Sequence, residues 1–523
     1  MTLTRRSLLK GGSAAVLALA GSRLAFARGL LEPPILDDLV TRTLAAATKA
    51  GASYADIRVV RRHNESVATR EDRVERVSSS DDYGIGVRVI ADGAWGFAAS
   101  PLAVAVEGER IAKLAVDIAK ANAKLMKRHV TLAPTPPAVD VWQTPLVKDP
   151  FKVPIEDKAE LLLAINREAM KVPGVKFVTS QFAAINEWKL LASTDGAYLE
   201  QQITRLGPGY TVTAVDDKHG EFETRDHGFP PRQAGWEYVE QAPLVADARR
   251  IAEEAVEKLK SPSVVAGKRD LILEPSNLWL TIHESIGHPT ELDRALGYEA
   301  NFAGTSFATT DKRGKLAIGA PILTFYADKT TPGGLATCGY DDDGVATGRW
   351  NLVEGGLFVN YQTTREQAGW IGEKASRGTC YADSYASFPF QRMPNVSLQP
   401  NPTERSLDDL VAATDDGILI SGNGSWSIDH QRFNFQFGGQ AFWEVKHGRR
   451  VRMLRDVAYQ ANTIAFWHAC DLIGGPKSWW MGGSLNDGKG EPSQNNAVSH
   501  GCPPARFRKI DILNTNRRSG GVA

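Results

Sequence analysis

The segment Leu278-Trp279-Leu280-Thr281-Ile282-His283-Glu284-Ser285-Ile286-Gly287-His288-Pro289 decides how the second half of this chain is read. An apolar-weighted run leads into two histidines with an acid directly after the first. In the common zinc-hydrolase pattern, two histidines four positions apart share one helical face and the adjacent Glu activates the metal-bound water. Here the spacing is five. Five residues of regular α-helix turn about 500°, which leaves the imidazoles about 140° apart and unable to reach one ion. A single π-type bulge, or unwinding at Gly287, would bring them together, and such bulges are frequent at functional sites. Pro289 ends the helix immediately, so distortion in its last turn is expected. From the residues alone, metal binding stands level with two unrelated polar residues at a helix end.

Working outward, Ser261-Pro262-Ser263 marks a domain boundary. Beyond it the chain is rich in Gly, aromatic and β-branched residues, with strands expected near 270–273, 322–325, 352–361, 438–446 and 451–457. Lys446-His447-Gly448-Arg449 reads as a hairpin tip. The run Arg449, Arg450, Arg452, Arg455 reads as a solvated sheet face rather than a nucleic-acid patch. Asp341-Asp342-Asp343-Gly344 begins like a calcium loop but has no Glu at its twelfth position, so a turn is expected. Upstream, helices are expected at 35–50, from Pro101 to about Leu125, at 155–170 and at 243–260. Strands fall at 56–60, 73–77 and 86–90 and within 175–216, and Asp92-Gly93 is a two-residue hairpin turn. The proline-rich stretch 131–154 reads as a surface linker. This irregular alternation gives an α+β class: an N-terminal α+β domain over 28–260 and a C-terminal β-rich domain over 261–523 that carries the metal-binding helix.

The 523 residues hold 61 Lys+Arg against 61 Asp+Glu, with 42% hydrophobic and 23% charged residues. That is ordinary globular composition, unlike the low hydrophobicity and high net charge of disorder. Balanced charge argues against a large basic surface for nucleic acid. Four cysteines cannot form a disulfide scaffold. No apolar run approaches the ~18 residues of a membrane-spanning helix. The first 27 residues stand apart: Arg5, Arg6, Lys10 and Arg23 without an acid, an apolar stretch from Ala14 to Ala20, then Ala25-Phe26-Ala27 as a cleavage pattern. Thr4-Arg5-Arg6-Ser7-Leu8-Leu9-Lys10 resembles a twin-arginine export signal, so the mature protein is expected in the periplasm, already folded when it crosses.

Taken together, these residues resemble the TldD/PmbA metallopeptidases. The resemblance rests on His283-Glu284-Ser285-Ile286-Gly287-His288, then Glu291, Asp293 and Gly304-Thr305-Ser306-Phe307. It continues upstream in Gly84-Ile85-Gly86-Val87-Arg88 and Asp92-Gly93-Ala94-Trp95-Gly96-Phe97-Ala98, and downstream in Gly438-Gly439-Gln440-Ala441-Phe442. Because the His-Glu-x-x-x-His is present, the chain resembles the TldD-type catalytic member. The resemblance implies a zinc-dependent peptidase acting on peptides or unfolded polypeptide, and a homodimer or a heterodimer with a related subunit. It implies His283 and His288 as zinc ligands and Glu284 as general base.

One departure concerns the third ligand. Members of this type usually carry a Cys directly before a Gly-Lys-x-Gly-like stretch, whereas here Asn486-Asp487 precedes Gly488-Lys489-Gly490. Cys502, in Ser499-His500-Gly501-Cys502-Pro503-Pro504, is the nearest thiol and the expected ligand, with His500 as the substitute. Cys470 reads as an inert buried thiol. The displaced thiol also leaves open a different class of function, a non-catalytic exported partner or scaffold that keeps the motif without hydrolysis. Trp479 and Trp480 read either as core or as part of a surface that binds extended peptide by strand addition.

Overall fold

The computed structural model describes residues 33–490 and 492–516. The expected leader of residues 1–27 lies outside the described residues. The N-terminal region is one twisted sheet with helices on it. Its strands are β1 (Tyr54–Arg70), β2 (Arg73–Ala91), β3 (Ala94–Ser100), β4 (Val139–Gln143), β5 (Val175–Ser193), β6 (Tyr198–Asp216) and β7 (Glu221–Asp226). They run in the order β3-β2-β1-β5-β6-β4, with β7 also on β6. The β2–β3 turn places Asp92 and Gly93 at φ 51° and 78°, the left-handed pair that a two-residue hairpin needs.

Helices α1 (Pro33–Ala50) and α2 (Ala105–Ala123) bury Leu39, Ile111 and Val116 against Ile57 and Val87 of the sheet. Helices α3 (Ile155–Met170) and α4 (Leu244–Lys260) bury Leu162 and Ile251 against Val178, Phe182 and Val212. The expected linker contains a strand after all. β4 pairs in parallel with β6 at the sheet edge. Its five residues are exposed or half-buried, held by backbone pairing, by the Tyr340 hydroxyl donating to Asp140 and by Trp142 lying against Gly339.

The C-terminal region comprises β8 (Gly267–Leu273), β9 (Phe325–Asp328), β10 (Arg349–Glu354), β11 (Leu357–Phe358), β12 (Cys380–Tyr381), β13 (Phe390–Gln391) and β14 (Asn395–Leu398). After these come β15 (Asp416–Ile428), β16 (Asn434–Lys446), β17 (Arg449–Leu454), β18 (Val457–Asn462) and β19 (Cys470–Ile473). The chain closes with β20 (Trp480–Lys489), β21 (Gln494–Cys502) and β22 (Ala505–Asn514). The main sheet runs β15-β8-β22-β18-β16-β17, and an additional β15–β16 pairing closes its first five strands into a ring. Stacked and edge-on rings of Phe435, Phe437, Tyr459, Phe466 and Phe507 fill its core. The fold is α+β, with a β-rich C-terminal region. Among the described residues no helix is long and apolar enough to cross a membrane.

The basic run lies on the exposed first part of β17 and just past its end, where Arg450, Arg452 and Arg455 pair with Asp408, Glu444 and Glu221. Asp341 does form a turn, accepting from the backbone N–H groups of Asp343 and Val345. Its neighbours lock the two regions together: Asp342 pairs with Lys189 at 2.9 Å and Asp343 with Arg88 at 2.8 Å, all buried.

Candidate metal centre

Helix α5 (Pro275–Ile282) leaves β8 with Pro275 in its first turn, where a missing N–H costs nothing. Leu278, Ile282 and Ile286 anchor it in the C-terminal core. At its end the chain widens into a π turn over His283–Gly287, closed by the His288 N–H donating to the His283 carbonyl. A turn closed between residues five apart sets those residues one above the other, so the five-residue spacing that an α-helix cannot use becomes productive. The His283 and His288 rings lie 4.5 Å apart, centroid to centroid. Side chains satisfy the carbonyls that the wide turn frees: Thr290 Oγ1 donates to Ile286 O, and Gln362 Nε2 donates to Gly287 O. Gly287 also leaves room for Met393, whose Sδ would lie 2.6 Å from an added Cβ.

The third group at this point is Asp487, on β20. The β20–β21 register is regular to Ser484↔Val498, then shifts to Asp487↔Asn496. Such a bulge re-aims side chains, and it turns Asp487 toward the helix. Its Oδ1 lies 3.5 Å from His283 Nε2 and 3.7 Å from His288 Nε2. Arg392 Nη2 steadies it, donating to the Asp487 carbonyl and standing 3.4 Å from Oδ2.

Partners on the far nitrogens set both tautomers. His500 Nδ1 lies 2.8 Å from the Val396 carbonyl and donates to it, which leaves Nε2 of a neutral His500 as acceptor. His283 Nδ1 lies 2.8 Å from that Nε2 and donates to it, so His283 Nε2 carries a lone pair toward Asp487. His288 Nδ1 donates to Glu291 Oε2 at 2.9 Å, which frees its Nε2 in the same way. The Glu291 carboxylate behind His288, and the His500 ring that passes the contact from His283 to the Val396 carbonyl, form an outer layer of the kind metal sites use.

This donor set fits zinc. Bonds of about 2.0–2.1 Å in tetrahedral geometry put neighbouring donor atoms roughly 3.4 Å apart, close to the two Nε2–Oδ1 separations. The electrostatics also call for a cation. Burial opposes charge on Asp487, but its contact with His283 and the nearby Arg392 guanidinium hold its carboxyl well below the usual range. Burial, with Arg432 and Arg294 nearby, lowers His288 to about 4, and burial drives His500 well down. Both rings are therefore neutral near pH 7. At His283 the burial effect is outweighed by Asp487, which draws positive charge to the space between them.

Behind the cluster Glu291 accepts from Arg294 Nε at 3.0 Å and from Lys489 Nζ at 3.1 Å, and Lys489 also reaches Asp293 at 2.8 Å. Lys489, Glu291 and Arg294 are fully buried. Lys489→Met should therefore leave Glu291 and Asp293 short of a counter-charge and lower stability by about 3–5 kcal/mol. The check is the denaturant midpoint at unchanged slope.

Glu284 is buried beside His283, with its Oε2 on the Arg432 guanidinium. Cys502, the expected third ligand, is not brought to the cluster, and Asp487 stands there instead. The reason lies in β21. His500 and Cys502 share one face two residues apart, a step of about 7 Å. His500 takes the place behind His283, so Cys502 falls at the start of α5, its Sγ 3.8 Å from the Pro275 carbonyl. Pro275 precedes His283 by about 12 Å of helix. Burial there pushes the Cys502 thiol well above its usual range. His500, the substitute, touches His283 rather than joining the three donors. All four cysteines are buried and free. Trp279, not Trp479 or Trp480, stacks on His500 at 6.0 Å.

Two imidazoles and a carboxylate converging beside a buried Glu, on a β-rich domain, make the donor arrangement of a metallohydrolase. Family models agree with that class: PmbA/TldA metallopeptidase domain 1 matches residues 55–122, the central domain 148–261 and the C-terminal domain 266–514. The chain belongs to the PmbA/TldD metallopeptidase family. It is 25% identical over 462 residues to a metalloprotease of Methanothermobacter thermautotrophicus, covering 88% of this chain and 96% of that one. It is 24% identical over 473 residues to a zinc metalloprotease TldD homolog of Saccharolobus solfataricus, covering 89% and 98%. The fold is shared with TldE of Thermococcus kodakarensis, with a TM-score of 0.66 at 18% identity over 90% of this chain and 99% of that one. A structure from Thermotoga maritima aligns with a TM-score of 0.71 at 17% identity, over 91% and 100%.

Proposed function

We propose that this chain is an exported zinc-dependent peptidase that hydrolyses peptides or unfolded polypeptide. The observation that carries the reading is the set of His283, His288 and Asp487 donor atoms, all within 4.8 Å of one another, with Glu284 adjacent. Zinc in such a set supplies a Lewis acid and acidifies a coordinated water to a pKa of about 7. The protein's part is to hold and move protons. His283 and His288 present Nε2 while their Nδ1–H groups donate to His500 and Glu291. Glu284, as general base, takes a proton at its carboxylate and returns it to the leaving amine. A cleft of about 260 Å³ between the two regions, walled by Phe229, Trp279 and Trp480, offers room for part of an extended substrate; Trp279, whose ring lies 6.4 Å from that of His283, links it to the cluster.

The reading as a non-catalytic partner rested on the missing thiol before Gly488. Asp487 stands at that place with an oxygen toward both imidazoles, and Glu284 is intact, which favours catalysis. Likeness to a solved TldE favours assembly with a second copy or a related subunit. Zinc-loaded protein should cleave unfolded polypeptide, stop with a chelator and resume with added zinc; absence of cleavage would contradict the proposal. Export has its own check. Arg5→Lys with Arg6→Lys should leave folded precursor in the cytoplasm, whereas unchanged appearance in the periplasm would rule out the twin-arginine route.

A further inference from the structure

Arg432 is costly where it stands. Its backbone lies at φ 62°, a left-handed conformation that a bulky side chain rarely adopts. Its guanidinium is largely buried, and Nε has no hydrogen-bond partner among the described residues. Costs of this kind persist only where the surroundings over-determine them, and they gather at functional sites.

The surroundings here do so. Asp429 accepts from the backbone N–H groups of Gln431, Phe433 and Asn434, and the Arg432 N–H returns to the Asp429 carbonyl. Thr463 Oγ1 donates to the Arg432 carbonyl at 2.9 Å. The Gly304-Thr305-Ser306-Phe307 segment clamps the loop from the other side: Thr305 N–H donates to His430 O and Phe307 N–H to Gln431 O. Gly304 is required for that approach, because an added Cβ would lie 2.1 Å from His430 O. The loop and its clamp deliver one group, the Arg432 guanidinium, onto Oε2 of Glu284. Among the described residues Oε1 of Glu284 has no hydrogen-bond partner.

We propose that Arg432 is a positioning residue: it anchors Oε2 of Glu284 and leaves Oε1 free to exchange the proton. This rests on the peptidase reading above. Arg432 acts through Glu284, so its removal should slow turnover without weakening substrate binding.

The experiment compares Arg432→Gly and Arg432→Lys in the zinc-loaded full chain. Glycine suits φ 62°, so Arg432→Gly removes the side chain without backbone strain. Expected are unchanged zinc content, a fall in kcat of roughly 10–100-fold at near-constant KM, and partial rescue by millimolar guanidinium. Arg432→Lys, which keeps the charge, should lose less. A second readout needs no substrate. The melting shifts of Arg432→Gly and Glu284→Ala should not add in the double variant, because one contact is removed by either. A rise in KM instead of a fall in kcat, no rescue, loss of zinc, or additive melting shifts would each overturn the assignment. If the unmutated zinc-loaded protein cleaves nothing, the peptidase reading falls, and the melting shifts alone then decide whether Arg432 anchors Glu284.

Discussion

Glu284→Gln is expected to retain about one zinc per chain and to lose roughly 10²–10⁴ in turnover, the usual contribution of a general base. Glutamine keeps the shape of the side chain, and its carbonyl oxygen can still accept from Arg432, so neither folding nor the donor cluster is disturbed. What it loses is the capacity to take a proton. The loss should therefore appear in kcat rather than KM. Metal analysis beside steady-state kinetics checks both halves. A metal-free Glu284→Gln would move Glu284 into the ligand set and undo the division of labour.

Asp487→Ala should have the other large effect, losing zinc and activity together. Two imidazoles alone would face the ion, and Arg392 would keep only backbone partners. The fall in zinc affinity should exceed the roughly 10–100-fold that loss of an outer partner costs, a value expected for His500→Ala. Cys502→Ser should bind zinc and turn over like the unmutated protein, because Cys502 is spent on packing against α5. Zinc titration against a chromogenic chelator ranks the three variants. Zinc loss in Cys502→Ser with full binding in Asp487→Ala would reverse the assignment.

Much of the fold was legible because its signals are local. Helix 155–170 announces itself by apolar period and by acids in its first turn, and β2–β3 by Asp92-Gly93. The unusual histidine spacing calls for either a π bulge or unwinding at Gly287, and the structure takes the first. Long-range features were not legible. β15–β16 is a local hairpin, but the ring closes only through a parallel β8–β15 contact between residues nearly 150 positions apart, which leaves no trace in periodicity. Asp487 was missed for a related reason. It sits after a bulge, where alternation breaks, and the family's thiol is absent from the place before Gly488-Lys489-Gly490 that Asp487 occupies. The family pattern marks a position, and here a carboxylate fills it. Arg432 had no sequence signal beyond the Gly304-Thr305-Ser306-Phe307 stretch, whose purpose emerges only from the loop it clamps.

The central claim is that two imidazoles and the Asp487 carboxylate hold zinc at the end of a π turn. X-ray absorption at the zinc edge of the loaded protein tests it most directly. The expected first shell is nitrogen and oxygen alone at about 2.0–2.2 Å, unchanged in Cys502→Ser. A sulfur neighbour at about 2.3 Å would contradict it and return the third position to a cysteine.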